Sequence, residues 1–258
     1  MTPQDWLKIA QELLPRLVLF DGVVVLHGTD TLAYTSSALA FLLSGSPKPI
    51  VVTGSQIPLL YSRNDANLNL MTSIAVAATS HIPGVVVAFD ERIIAGPRAV
   101  KVNADGLDGF DSPNFPLIGH NGISIRYEPQ YQLPMPSPEE SITSPTNTAE
   151  RKMQLDYLHE SFTQFSVVVL TLYPGIESST VSAMLTGSIP TVKGVCIQAF
   201  GSGNAPADPD LMSVLKNAHE AGVVLVDITQ VLTGTVNLDQ YAAASGLSDA
   251  GAVSGRET

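Results

Sequence analysis

His27-Gly28-Thr29-Asp30-Thr31 places an imidazole, two hydroxyls and a carboxylate directly after the apolar run Val23-Val24-Val25-Leu26. A threonine hydroxyl serves as a nucleophile once a neighbour removes its proton, and a carboxylate beside it holds a cationic group. The β-branched and Leu residues before them suit a parallel strand covered on both faces, and Gly28 lets the backbone turn sharply. Open parallel sheets bind ligands outside the carboxyl ends of their strands, where these residues fall. A plainer role fits as well, because Ala33 to Leu43 is apolar and helix-compatible, and Asp30 or Thr31 would cap that helix. Spacing alone leaves both readings open.

The elements around this stretch repeat its pattern. Trp6, Ile9, Ala10, Leu13 and Leu14 recur at helical spacing, with Thr2 as cap, Pro3 in the first helical position and Pro15 as the expected end. Pro49-Ile50-Val51-Val52-Thr53-Gly54-Ser55-Gln56 is a second short apolar run ending in small polar residues. Asn67 to Thr79 reads as a helix with Leu68, Met71, Ala75 and Ala78 on one stripe, and Gly84 to Phe89 as a third strand. Strand and helix in alternation predict an α/β fold with a doubly wound, mostly parallel sheet. Asp90 to Asn114 reads as loop-rich surface. Arg92, Arg98 and Lys101 fall within ten positions there, and for the two arginines a solvated loop is the simplest reading.

Pro129 to Thr148 is rich in Pro, Ser, Thr and Glu, which predicts a linker over 134–165 that includes a short helix from Glu150. It separates an N-terminal domain, 1–133, from a smaller α/β domain, 166–258. The latter holds strands at Val167 to Leu172, Val192 to Phe200 and Val223 to Ile228, with a helix from Leu211 to Ala221. Gly201-Ser202-Gly203-Asn204 closes the second of these strands in a polar turn. Ala242 to Thr258 is small and polar, with no apolar helix expected to cover the last strand.

Composition excludes several classes of function. A net charge of −11 argues against nucleic acid or an anionic membrane as partner, since both are bound through clustered Lys and Arg. Cys196 is the single cysteine, so no intrachain disulfide forms and no metal site is built on Cys pairs. His27, His81, His120, His159 and His219 are scattered without a metal-ligand spacing, and no metal is expected. No stretch reads as a signal peptide or a membrane span, which predicts a cytoplasmic protein. A nucleotide cofactor has no support either, because no Gly-x-Gly-x-x-Gly follows a strand.

Taken in order, these motifs resemble the bacterial-type L-asparaginase family, and its cytoplasmic type I branch more than the periplasmic one. The resemblance is carried by Leu26-His27-Gly28-Thr29-Asp30-Thr31, by Pro49 to Pro58, and by Gly96-Pro97-Arg98-Ala99-Val100-Lys101-Val102-Asn103-Ala104 with Ser112-Pro113-Asn114. Tyr173-Pro174-Gly175 and Gly201 to Pro206 extend it through the second domain. It implies hydrolysis of L-asparagine to L-aspartate and ammonia through a threonine acyl-enzyme, without a cofactor, in a homo-oligomer. By similarity Thr29 is the second threonine of the site, hydrogen-bonded to Lys101, and Asp30 binds the α-ammonium group of the amino acid. The same resemblance puts the Ser55 main chain against the side-chain amide and sends Asn204 to a neighbouring subunit's site. The family's Thr-Gly-Gly-Thr segment has no counterpart, since no Gly-Gly pair occurs in the 258 residues. The expectation is therefore a chain truncated at both ends and with little activity of its own. The alternative is a non-catalytic remnant that binds an amino acid or pairs with an intact homologue.

Overall fold

Thr2 opens the chain's first helix by exchanging hydrogen bonds with Asp5, its side chain accepting from the Asp5 amide while its own amide donates to the Asp5 carboxylate. This is a capping box, and it starts helix α1, Pro3–Leu19. The structure is a computed structural model that describes residues 1–79, 82–131, 133–238 and 242–256. It divides into two compact units, Met1–His159 and Glu160–Thr258.

In the first unit α1 leads to strand β1 (Val23–Leu26), helix α2 (Leu32–Leu42), β2 (Pro49–Thr53), α3 (Ala66–Thr79) and β3 (Gly84–Phe89). Then follow β4 (Arg92–Ala95), β5 (Val100–Lys101), β6 (Phe110–Asp111), β7 (Gly119–Asn121), β8 (Ile125–Tyr127) and helix α4 (Pro145–Ser161). The main sheet runs β1-β2-β3-β4-β7-β8, parallel through its first three strands and antiparallel beyond β3. Strand β2 is buried at every position, because Val51 packs in one core with Val76 and Ala77 of α3 while α2 contacts the sheet as well. Helices on both faces make every residue of a central strand a core residue, hence its unbroken apolar sequence.

Four local expectations need correcting. Pro15 does not end α1, which runs on to Leu19 with Leu17 fully buried, so tertiary packing offsets the missing amide donor. Segment 90–114 is not simply surface loop, since Ile93 and Ile94 of β4 are fully buried. The stripe on α3 faces the other way: Leu68 and Met71 are exposed, whereas Asn69, Thr72, Ser73 and Val76 are buried. Hydrogen-bonding partners at the strand ends, together with Val76 and Ala77 in the core, set the inward face of this helix. The arginines, finally, are anchors and not solvated loop cations. Arg92 donates to the Phe110 carbonyl (3.0 Å), and Arg98 lies over the Phe115 ring, 5.5 Å from its centroid.

The stretch read as a linker contains the 17-residue helix α4, which is held to the first unit. Arg151 donates to the carbonyls of Leu42 (3.3 Å) and Ser44 (3.0 Å), capping the end of α2, and burial pushes its guanidinium pKa down. Ile142 and Leu155 supply the buried apolar contacts.

The second unit comprises β9 (Ser166–Thr171), α5 (Ser178–Thr186), β10 (Val192–Ala199), α6 (Pro209–Glu220), β11 (Val224–Thr229), α7 (Ala242–Asp249) and β12 (Val253–Ser254). Its sheet, in the order β12-β11-β10-β9, is parallel throughout. Leu211 and Leu215 of α6, Leu185 of α5 and Leu247 of α7 pack against Val195, Ile197 and Leu225. Contrary to the sequence reading, the C-terminal stretch does form a helix, and Leu247 on it is completely buried in the core. On the opposite face Val167, Val169, Val224 and Val253 remain more than half exposed. The fold is thus α/β: a doubly wound sheet, with its parallel part at β1 to β3, and a smaller α/β unit.

Candidate active site

Past Leu26 the His27 amide still donates to the Thr53 carbonyl (2.8 Å), so the β1-β2 ladder carries the chain one residue beyond the strand. Gly54 passes so close that a Cβ there would lie 2.2 Å from the His27 carbonyl oxygen; no other residue fits. Thr29–Thr31 then form a 3-10 turn that feeds α2. Thr31 occupies the cap position of α2 without a side-chain hydrogen bond, so the capping role is not what these residues do.

Lys101 arrives on β5, whose register with β6 pairs Lys101 with Phe110. Its ammonium donates to Thr29 Oγ1 (2.9 Å) and to Asp30 Oδ1 (2.8 Å), joining residues more than 70 positions apart in the chain. The Lys101 hydrogen bond, and then its charge, holds the Asp30 carboxyl below the usual carboxylate range. Only one Asp30 oxygen is engaged by Lys101. The side chain is 94% exposed, so its other oxygen is open to a cationic group of a ligand. Because a Lys101 N–H occupies Thr29 Oγ1, the threonine's own hydrogen points elsewhere.

Behind the turn lies a short relay. Trp6 Nε1 donates to Thr35 Oγ1 (2.9 Å), which is also 2.9 Å from His27 Nε2, while His27 Nδ1 is 2.6 Å from the Gly28 carbonyl. An indole only donates and a carbonyl only accepts, so a neutral His27 carries its proton on Nδ1 and accepts from Thr35 at Nε2. The imidazole is thereby a strut fixing Gly28, and Trp6 is its outer anchor.

Ser55 lines a cleft of about 350 Å³ together with Leu26, His27, Thr53, Gly54 and Pro58. Two residues that sequence reading missed hold this loop. The Asp65 carboxylate accepts from the amides of Gln56 and Ile57, both at 2.9 Å, and from Asn69 Nδ2 at 3.1 Å. Asn69 also donates to the Gly54 carbonyl (3.0 Å) and accepts from the Asp90 amide (2.9 Å). The available signal was two polar side chains four apart at a helix start, a spacing that puts both on one face. Gln56 Nε2 in turn donates to the Gly106 carbonyl (2.9 Å), and the buried Ser36 hydroxyl donates to the Gly96 carbonyl (2.9 Å), tying the lysine segment at both ends.

Thr29, Asp30 and Lys101 are therefore brought together, with Ser55 on the adjoining cleft. Asn204 belongs to the second unit, in a turn bridged to Phe200, with its side-chain oxygen buried and without a partner among the described residues. His81 lies outside the described residues. Among the described residues no three His, Cys, Asp or Glu side chains cluster as metal ligands, and no helix is long and apolar enough to cross a membrane.

A polar constellation at the carboxyl end of a parallel strand, with a lysine delivered from a separate ribbon, defines an α/β protein with an arrangement suited to a small polar ligand. Comparison with known proteins makes this particular. The family profile described as "Asparaginase, N-terminal" matches residues 1–132, and "Glutaminase/Asparaginase C-terminal domain" matches 166–258. L-asparaginase 1 of Escherichia coli K12 is 38% identical over 257 residues, an alignment that covers 100% of this chain and 70% of that protein. The crystal structure of L-asparaginase I from Vibrio cholerae superposes with a TM-score of 0.81 at 37% identity, over 100% of this chain and 71% of that one. The thermostable L-asparaginase from Thermococcus kodakarensis gives 0.83 at 28% identity, over 100% and 72%. The chain belongs to the asparaginase family.

Proposed function

We propose that this protein acts on L-asparagine, hydrolysing its side-chain amide to L-aspartate and ammonia through a threonine acyl-enzyme. The observation that carries the reading is the single Lys101 ammonium bonded at once to Thr29 Oγ1 and Asp30 Oδ1. In this account the free oxygen of Asp30 takes the α-ammonium group of the amino acid, which separates an amino acid from a simple amide. The Ser55 main chain faces the side-chain amide, Asn204 completes a neighbouring subunit's site, and the working form is a homo-oligomer in the cytoplasm.

The reaction balances without a cofactor. A threonine oxygen attacks the amide carbon, its proton passes to the leaving nitrogen, and ammonia departs from an ester. Water then attacks the ester, gives one proton back to the threonine oxygen and releases aspartate. Thr29 with Lys101 relays these protons and is not the attacking group, a role that family resemblance gives to a Thr-Gly-Gly-Thr segment. Residues 1–258 contain no Gly-Gly pair, so on this reading they bind the amino acid but turn it over slowly when taken alone.

The test measures ammonia release from L-asparagine and calorimetric binding of L-aspartate. Residues 1–258 should bind aspartate, lose that binding on Asp30→Asn, and release ammonia far more slowly than a form joined to a strand bearing Thr-Gly-Gly-Thr. Equal turnover by the two forms, abolished by Thr29→Ala, would make Thr29 the nucleophile and sink the two-threonine assignment.

A further inference from the structure

Asp227 sits on β11 between Leu225 and Thr229, on the face covered by the helices, and none of its surface reaches solvent. Among the described residues neither of its carboxylate oxygens has a hydrogen-bond donor, nor does the buried side-chain oxygen of Asn204. An ionised carboxylate left in that state is among the least favourable arrangements a core can hold, and a single proton removes the charge.

The carboxylate also bears on the Gly201-Ser202-Gly203-Asn204 turn. Gly203 has a φ of +109°, and a Cβ on it would fall 2.8 Å from Asp227 Oδ2, so the turn's backbone rests against the acid. Thr229, two residues on from Asp227, donates its hydroxyl to the Gly201 carbonyl. The amides of Gly203 and Asn204 both donate to the Phe200 carbonyl, at 3.0 and 2.8 Å. Charge in the surroundings gives no compensation. Among the described residues no cation pairs with Asp227, and Lys216, His219 and Glu220 of α6, Asp249 of α7 and Arg256 beyond β12 are all exposed. The titratable neighbour is Cys196 on β10, whose thiol is pushed up by burial and then by the Asp227 charge.

We propose that Asp227 is a positioning residue that works as a neutral acid, its proton keeping the Gly201 to Asn204 turn seated so that Asn204 is presented for its part in the reaction. The last clause rests on the function proposed above; the seating of the turn does not. Burial pushes the Asp227 carboxyl from 3.8 to about 6, so ionisation falls within a range where the protein can be studied folded. If the unseated turn exposes an ordinary carboxyl, that difference biases the seating equilibrium by roughly a hundredfold between pH below 3.8 and alkaline pH, of which roughly tenfold lies above pH 5.

The experiment is amide hydrogen exchange on the whole chain at pH 5 to 8, corrected for intrinsic rates, with ammonia release from L-asparagine followed in parallel. Protection of the Gly203 and Asn204 amides should fall by up to roughly tenfold as pH rises from 5 to 8. In Asp227→Asn, which is neutral at every pH, it should stay level. Level protection in the unaltered chain, or the same fall in Asp227→Asn, overturns the proposal. So does protection at pH 8 that potassium or sodium chloride restores and choline chloride does not, because a cation would then be the missing charge. The expected protection pattern, with no ammonia release even from a form joined to a strand bearing Thr-Gly-Gly-Thr, supports the seating role and counts against the proposed function instead.

Discussion

Replacing Asn69 by Leu keeps the branched shape of the side chain and removes all of its hydrogen bonds, which makes it a test of how the Ser55 loop is held. Asn69 is 2% exposed, and its amide serves the Gly54 carbonyl, the Asp90 amide and the Asp65 carboxylate. A buried polar group stranded by loss of its partner costs about 1–3 kcal/mol. The Gly54 carbonyl bears the full penalty. The Asp90 amide is nearer water and Asp65 keeps its two backbone donors, so both cost less. The expected loss is about 3 kcal/mol, which for a chain of this size lowers the unfolding midpoint of the first unit by roughly 6–12 °C. Urea and thermal unfolding measure it, with Leu68→Ala on the exposed side of the same helix as control, expected within about 0.5 kcal/mol of the parent. The same change should loosen residues 54–57, seen as faster exchange of the Gln56 and Ile57 amides. A loss below about 1 kcal/mol, or a Leu68→Ala loss of equal size, would refute the claim that α3 is oriented by its polar face.

Lys101→Met should lower ammonia release by about 10²–10⁴-fold, in a form that carries the attacking threonine, by removing the proton relay. The Asp30 carboxyl resonance should then titrate at higher pH, since its lowered pKa comes first from the Lys101 hydrogen bond. For Asp227 the linkage has a definite sign: a carboxyl raised from 3.8 to about 6 gives stability that is full below 3.8 and lost as pH rises through about 6. The unaltered chain should lose at most about 3 kcal/mol across that window relative to Asp227→Asn, measured by urea unfolding of both at pH 4 and pH 7.5. Changing Leu68 and Met71 together to Glu should leave the unfolding midpoint nearly unchanged, because both are exposed, yet reduce the sedimentation coefficient if α3 meets a second copy. An unchanged sedimentation profile would remove that helix from the proposed homo-oligomer.

Strands β1, β2, β3, β9, β10 and β11 were legible in the sequence because each is a short β-branched run closed by small polar residues. That pattern reports a strand without needing to know the neighbours, but burial on both faces holds only for β2 and β3, whereas β9 and β11 leave Val167, Val169 and Val224 more than half exposed. Thr29, Asp30 and Lys101 were legible through ordered motifs, and the structure places the Lys101 ammonium on both partners. What sequence could not give was direction. The stripe on α3 is a true periodicity, but hydrophobicity does not say which face a helix turns inward when Asp65 and Asn69 must satisfy the amides and carbonyls of a strand-end loop. Pro15 likewise reads as a stop, since the loss of a helical hydrogen bond is local whereas the packing of Leu17 that offsets it is not. Asp227 looks unexceptional in Val-Leu-Val-Asp-Ile-Thr until the fold seals it behind Gly203. Residue types and spacing decided which strands form and which polar groups reach their ends. Only the tertiary structure decided which of those groups find partners, because desolvation and hydrogen bonding are set by atoms distant in the chain.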